Sequence, residues 1–194
     1  MRRAEISRKT RETEILVRLN LDESGSGPIR VGIGFLEHML ELLSRHSGIW
    51  LEVQAQGDLH VDAHHLIEDV GICLGLALDQ ALSDKRGIER YGSAYVPMDE
   101  TLVRAVVDLS GRPFLVYSCP SRTPMVGEFP VEMMEEFWRA LAMNARINLH
   151  LVCLYGSNQH HIFEAAFKAA ARSLRQAVRR TSTQNEIPST KGIL

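Results

Sequence analysis

The stretch Asp62-Ala63-His64-His65-Leu66-Ile67-Glu68-Asp69 recurs almost a hundred residues later as Asn158-Gln159-His160-His161-Ile162-Phe163-Glu164-Ala165. Each copy opens a run of helical periodicity, His64 to Ala81 (Leu66, Val70, Leu74, Ala77, Leu78, Ala81) and His160 to Val178 (Ile162, Ala166, Ala170, Leu174, Val178). Both His-His-x-x-Glu motifs therefore belong to first helical turns. On a helix the first His and the Glu share a face at a spacing of four, and the second His reaches that Glu at a spacing of three. Adjacent His point about 100° apart around the axis, which places them poorly to chelate one ion together. Neighbouring His serve either two different metal ions or two sides of one pocket, with the Glu between them. A capped, half-buried imidazole would explain one such histidine; it does not explain the repetition.

All eight histidines fall in two blocks, His38, His46, His60, His64 and His65, then His150, His160 and His161. Imidazole suits Zn, Fe, Ni and Cu, and Glu oxygens shift the preference towards harder octahedral ions such as Mn²⁺ or Fe²⁺, so a mixed N/O site is expected. No Cys-x-x-Cys pair accompanies them, which argues against structural zinc.

Composition narrows the function classes. The 22 Lys+Arg against 24 Asp+Glu give a formal net charge of −2, no general field for nucleic acid or anionic membrane. No apolar run approaches a membrane span, and Met1-Arg2-Arg3-Ala4-Glu5 continues polar where a signal peptide turns apolar, so a cytoplasmic protein is expected. Cys73, Cys119 and Cys153 sit in apolar surroundings and read as reduced, buried thiols.

In chain order, Ile15 to Leu21 reads as a strand, Asp22 to Pro28 as a turn, and Ile29-Arg30-Val31 as a return strand of a hairpin. Phe35 to Leu43 has helical spacing, Trp50 to Ala55 is a strand, and the His64 helix follows. The order then repeats: strands Thr101 to Leu109 and Phe114 to Ser118, a helix from Val131 to Met143, a strand from Ile147 to Leu154, and the His160 helix. Glu12-Thr13 before the first strand mirrors Glu100-Thr101, and His38 stands to Leu51 as Glu136 stands to Leu149, which makes Glu136 the repeat partner of His38. The reading is an α+β fold of tandem duplicated ββαβα halves, residues 1–92 and 93–194, each a small, mostly antiparallel sheet covered by helices.

At this point the chain resembles the imidazoleglycerol-phosphate dehydratase family over nearly its whole length. The resemblance is carried by Thr10-Arg11-Glu12-Thr13, Phe35-Leu36-Glu37-His38-Met39-Leu40, Gly57 to Asp69, Arg90-Tyr91-Gly92, Pro97-Met98-Asp99-Glu100, Asp108-Leu109-Ser110-Gly111-Arg112, Leu149-His150, His160 to Lys168 and Pro188-Ser189-Thr190-Lys191-Gly192. It implies a hydro-lyase of histidine biosynthesis acting on a phosphorylated imidazole, two Mn²⁺ per active site, and a hollow homo-oligomer of 24 subunits with sites between chains. Metal ligands implied by motif are His38, His64, His65, Glu68, His160, His161 and Glu164. At the eighth position many members carry His in a Glu-His-Phe-Phe stretch; this chain has Glu135-Glu136-Phe137-Trp138, and Glu136 can still ligate.

The reaction implied is loss of water from the glycerol chain through an enol, with the ions as Lewis acids on the imidazole ring. Glu12 is the implied general acid/base and His46 a second catalytic candidate. Arg90, Arg112, Lys168, Ser189, Thr190 and Lys191 match phosphate-contacting positions, and Arg forks suit phosphate oxygens. His150 is a substrate-facing candidate and His60 a structural one. The residues alone also fit a non-enzymatic metal-binding oligomer, against which the strands between the helices speak, and a metallohydrolase, weakened by the absence of His-Glu-x-x-His.

Overall fold

The computed structural model describes residues 1–181 and 186–192. The first half runs β1 (Arg3–Lys9), β2 (Thr13–Asn20), β3 (Ser26–Arg30), α1 (Gly34–Ser47), β4 (Trp50–Gly57) and α2 (His64–Leu82). The second runs β5 (Tyr91–Met98), β6 (Thr101–Asp108), β7 (Phe114–Ser118), the short hairpin of β8 (Met125–Val126) and β9 (Phe129–Pro130), α3 (Met133–Ala145), β10 (Asn148–Tyr155) and α4 (Gln159–Ala177). Two four-stranded sheets result, ordered β1-β2-β4-β3 and β5-β6-β10-β7. The α+β architecture of tandem halves is as expected, with one more strand at the front of each. β1 escapes a pattern search because Arg3 to Lys9 holds only two apolar residues, Ala4 and Ile6. β5 escapes because Gly92, Ser93 and Pro97 dilute its alternation.

One expectation is corrected. Ile29 and Arg30 do not fold back on β2 as a hairpin; they run parallel to β4, Ile29 opposite Val53 and Arg30 opposite Gln54. Both edges of β2 are already occupied, by β1 and by β4, each antiparallel. The second half repeats this, with β7 parallel to β10. The parallel join needs a crossover, and α1 and α3 supply it.

The helices lie between the sheets, and they pair across the halves: α1 packs against α4, and α2 against α3. Two glycines permit the second seam. A Cβ on Gly71 would stand 2.7 Å from the Phe137 carbonyl oxygen, and one on Gly75 would stand 2.6 Å from that of Leu141. Phe137, Trp138 and Phe167 fill the centre, with Trp138 and Phe167 ring centroids 4.6 Å apart. Burying each such side chain contributes roughly 1.5–3 kcal/mol. No helix among the described residues is long and apolar enough to cross a membrane.

Candidate metal centre and active site

Every helix carries candidate ligands near its N-terminal end, and three of these ends are set by local chemistry. Glu37 accepts hydrogen bonds from the backbone N–H groups of Val31 (2.7 Å) and Gly32 (2.9 Å), which fixes the entrance of α1 next to His38. Asn158 caps α4, its side-chain oxygen accepting from the N–H groups of His160 (2.9 Å) and His161 (3.3 Å). At α2 the N-cap position is Ala63, and Asp62 just before it accepts from the His64 N–H at 2.7 Å.

Because α1 lies against α4, His38 meets the second motif. One ligand atom each from His38, His160 and Glu164 falls within 4.8 Å of the others, two imidazole nitrogens and one carboxylate oxygen about a common point. Glu164 Oε2 lies 3.1 Å from His160 Nε2 and 3.3 Å from His38 Nε2, and its Oε1 accepts from Lys168 Nζ at 2.6 Å. Burial pushes the Glu164 carboxyl up, but Lys168, His38 and His160 outweigh it and hold the group at about 2. A permanently ionised carboxylate between two imidazoles fits a divalent cation of the hard or borderline class.

The spacing-of-four contact is thus present and the spacing-of-three contact is not. His161 turns away from Glu164, its ring 6.4 Å from that of His160 and 84° to it, and its Nδ1 lies 2.7 Å from Glu100 Oε2. His65 behaves likewise: its Nδ1 lies 3.1 Å from Asp58 and 3.9 Å from Glu12. Asp58 raises the proton affinity of His65 and Glu100 that of His161, while His161 and the N–H groups of Asn158 and Ser157 hold Glu100 well below the usual carboxylate range. Neighbouring histidines therefore serve separate positions.

The family model for imidazoleglycerol-phosphate dehydratase matches residues 31–174. The chain belongs to the imidazoleglycerol-phosphate dehydratase family. It is 56% identical over 192 residues to the dehydratase of Exiguobacterium sp., covering 99% of this chain and 98% of that one. With the dehydratase of Streptococcus gordonii it shares 54% over 194 residues, the full length of both. The crystal structure of the Staphylococcus aureus dehydratase superposes with a TM-score of 0.84 at 42% identity, covering 92% of this chain and 99% of that one. That from Pyrococcus furiosus, solved in complex with (S)-C348, gives 0.80 at 35% identity over 97% and 100%.

Within this member of the dehydratase family, the remaining candidates divide into groups. His64 and Glu68 are half-buried on α2, and Glu68 has no hydrogen-bond or ion-pair partner among the described residues. Glu136, on α3, stands 3.5 Å from Arg139, and among the described residues it forms no cluster within 4.8 Å with His64 and Glu68. Glu12 projects from a turn in which Thr10 Oγ1 accepts from the N–H groups of Glu12 (3.0 Å) and Thr13 (2.9 Å), and Thr13 is tied to Asp69 of α2. Its side chain is 54% exposed. His46 lies two turns beyond His38, and burial, followed by the charges of Lys168, Arg172 and Arg45, lowers its proton affinity. His60 and His150 are exposed.

The phosphate candidates split. Lys168 joins Glu164. Arg90 is buried, its Nε donating to Asp108 at 2.8 Å and its Nη1 to the Pro188 carbonyl at 2.7 Å, and Arg112 reaches the same Asp108 at 4.0 Å. Ser189 and Lys191 form a turn, the Lys191 N–H donating to Ser189 Oγ at 3.2 Å, and Thr190 and Lys191 are exposed. Asp58, Glu100 and Asp69 had no role assigned from sequence; the repeat register that pairs Glu12 with Glu100 was the available signal. Of the cysteines, Cys73 is buried and Cys119 and Cys153 are half-buried; burial pushes Cys73 up to about 11 and Cys119 to about 12, which leaves them inert.

Proposed function

We propose that this chain is a divalent-metal-dependent hydro-lyase that removes water from imidazoleglycerol phosphate to give imidazoleacetol phosphate in L-histidine biosynthesis. Beyond family membership, the observation that carries the metal dependence is the His38, His160 and Glu164 trio. Mn²⁺ is the ion we assign, two per active site. His38, His160 and Glu164 would hold one, and His64, Glu68 and Glu136, their repeat counterparts, the other, with His65 and His161 completing sites. When bound, the ions supply Lewis acidity at the imidazole ring, drawing electron density from the adjoining carbons.

The chain's own groups move the proton. The carbon beside the ring loses its hydroxyl as hydroxide, and Glu12 takes the hydrogen of the neighbouring carbinol carbon as a proton, which leaves an enol. Return of that proton to the carbon beside the ring, with the enol hydroxyl's proton passing to the departed hydroxide to make the water, gives the ketone. Glu12 suits the task because its carboxylate is exposed and held on a fixed turn. His46, whose proton affinity is lowered by burial and Lys168, has no hydrogen bond or ion pair with the trio among the described residues and is a second candidate to pass a proton.

The phosphate goes to Arg90, Arg112, Lys168 and the Ser189-Thr190-Lys191 turn, and separation supports a site shared between copies. The Arg90 N–H donates to the carbonyl of Ala177 at the far end of α4, whereas His160 is at the near end. At 1.5 Å per residue that distance is about 25 Å, far longer than an imidazole joined through three carbons to a phosphate. A metal centre from one copy facing Arg90, Arg112 and the tail turn of another resolves this. The homo-oligomer of 24 subunits and the cytoplasmic location belong to this proposal. Incubating metal-stripped and Mn²⁺-loaded protein with imidazoleglycerol phosphate, and following product by its enol absorbance in alkali, tests it. Turnover only in the loaded protein is expected; equal turnover in both removes the metal from the reaction.

A further inference from the structure

The repeat register pairs Glu12 with Glu100, yet the two are engaged differently. Glu100 Oε2 lies 2.7 Å from His161 Nδ1, and its Oε1 collects the N–H groups of Asn158 (2.8 Å) and Ser157 (3.1 Å) and the hydroxyl of Thr101 (2.9 Å). In the first half the corresponding nitrogen, His65 Nδ1, is taken by Asp58 at 3.1 Å, and Glu12 stays 3.9 Å away.

The reason lies just past the central strands. Gly57 and Gly156 are matched positions: a Cβ on Gly57 would meet Leu66 and Thr13, and one on Gly156 would meet their counterparts Ile162 and Thr101. The next residue is Asp58 in one half and Ser157 in the other. Ser157 has no carboxylate to offer its histidine, and its own N–H and hydroxyl point at Glu100 instead. The carboxylate that the first half draws from the loop, the second draws from the head of β6.

We infer that Asp58 and Glu100 are positioning residues, each holding the proton of its histidine on Nδ1 so that the Nε2 lone pair faces a metal ion. An ionised carboxylate only accepts hydrogen bonds, so the ring nitrogen against it must be the donor, and the other nitrogen of the neutral ring is the ligand. Partners of this kind fix the tautomer and ring orientation of ligating histidines. Because Asp58 does this in the first half, Glu12 is left unengaged for proton transfer. The inference rests on the metal-dependent reading above.

Glu100→Gln separates orienting from structural roles. The amide oxygen keeps the two backbone N–H groups and the Thr101 hydroxyl, so the loop is retained. The amide nitrogen then donates to Nδ1 of His161 and moves the proton to Nε2, where it blocks the metal. Asp58→Ala removes the acceptor from His65 Nδ1 in the first half and carries the test if Glu100→Gln does not fold. Free Mn²⁺ is counted by its electron paramagnetic resonance in titrations of the full chain, with melting of the metal-free protein as the control. The expected result is Mn²⁺ affinity weakened roughly 10–100-fold in each variant, with the metal-free melting temperature of Glu100→Gln unchanged. Wild-type affinity in both variants overturns the inference. Failure of the wild-type chain itself to bind Mn²⁺ is a separate outcome and overturns the metal reading beneath it.

Discussion

The seam between α1 and α4 and the seam between α2 and α3 are repeat counterparts, but only the first brings its candidate ligands together. In the first, a histidine of the crossover helix faces a Glu and a His of the motif helix, and an imidazole can share a hydrogen bond with the carboxylate. In the second the crossover helix offers Glu136, a carboxylate where the first offers an imidazole, and its Oε1 lies 3.5 Å from Arg139 Nε. Duplication copied the positions, and the substitution of Glu136 for an imidazole is where the two seams differ, although both are closely packed. The sheets have diverged in the same sense. The outer face of the first is ionic, with Arg18 between Glu5 at 2.7 Å and Glu52 at 3.3 Å, whereas that of the second exposes Tyr91, Tyr95 and Phe114.

The largest expected effect sets Glu12 against its counterpart Glu100. Glu12→Gln keeps shape and removes the base, so kcat should fall about 10²–10⁴-fold with metal content and substrate binding retained. Single-turnover rates beside metal analysis check this, and a rate within a few-fold of wild type would take Glu12 out of the mechanism. If Glu100→Gln instead lost turnover at full metal loading, the roles assigned to the two would have to be exchanged.

Acid should act in opposite directions on the metal-free and loaded proteins. Asp58 and Glu100 raise the pKa values of His65 and His161 above the ordinary 6.5, so the stability these pairs give the metal-free fold is present at low pH and lost as pH rises through the raised values. Metal binding needs the same rings neutral, so Mn²⁺ affinity should fall as pH drops from above 6.5, by about tenfold per unit for each histidine that must shed a proton. Calorimetric titrations between pH 5.5 and pH 8, values chosen to span the ordinary histidine range, measure it. A pH-independent affinity would exclude imidazole ligation.

The third expectation takes the two seams directly. Glu136→Ala should lower Mn²⁺ affinity by at least about tenfold and, through shared sites, shift particle size downward by mass action. Glu136→His should restore both. Metal stoichiometry by mass spectrometry and size by light scattering decide; an Ala variant with full metal and full size leaves Glu136 outside the site.

Much of this was legible in the sequence because it is periodic. The His-His-x-x-Glu copies, the helix starts beneath them and the partnership of His38 with Glu136 follow from spacing alone, and the fold keeps that register: each of these two residues lies twelve ahead of the first residue of its following strand. Pairing across the halves was not legible, because nothing in local periodicity says that α1 seeks α4; Gly71 and Gly75 mark a close approach without naming its partner. Nor was the turning of His161 to Glu100, since residues 61 positions apart meet only when β6 and α4 are stacked. The parallel course of β3, where a hairpin is expected, has the same reason. A hairpin is a local inference, and strand order is decided by which edge remains free.

The smallest effect expected belongs to the tail, where the halves have no counterpart to compare. Residues 188–191 turn beside Arg90, whose guanidinium is held by Asp108 and by the Pro188 carbonyl, so the tail chain positions the arginine while Lys191 stands exposed. An exposed ammonium on a phosphate contributes on the order of 1 kcal/mol, and it does so in ground and transition states alike because the phosphate takes no part in the chemistry. Lys191→Ala should therefore raise KM a few-fold and leave kcat unchanged. Truncation after Ile187 should raise KM further, because it also removes the Pro188 carbonyl that orients Arg90. Steady-state kinetics on the two variants at low and high salt separate charge from placement: salt should narrow the gap between wild type and Lys191→Ala but not the gap that truncation adds. A kcat that falls with either variant would show instead that the tail acts on the reacting carbons through closure of the site.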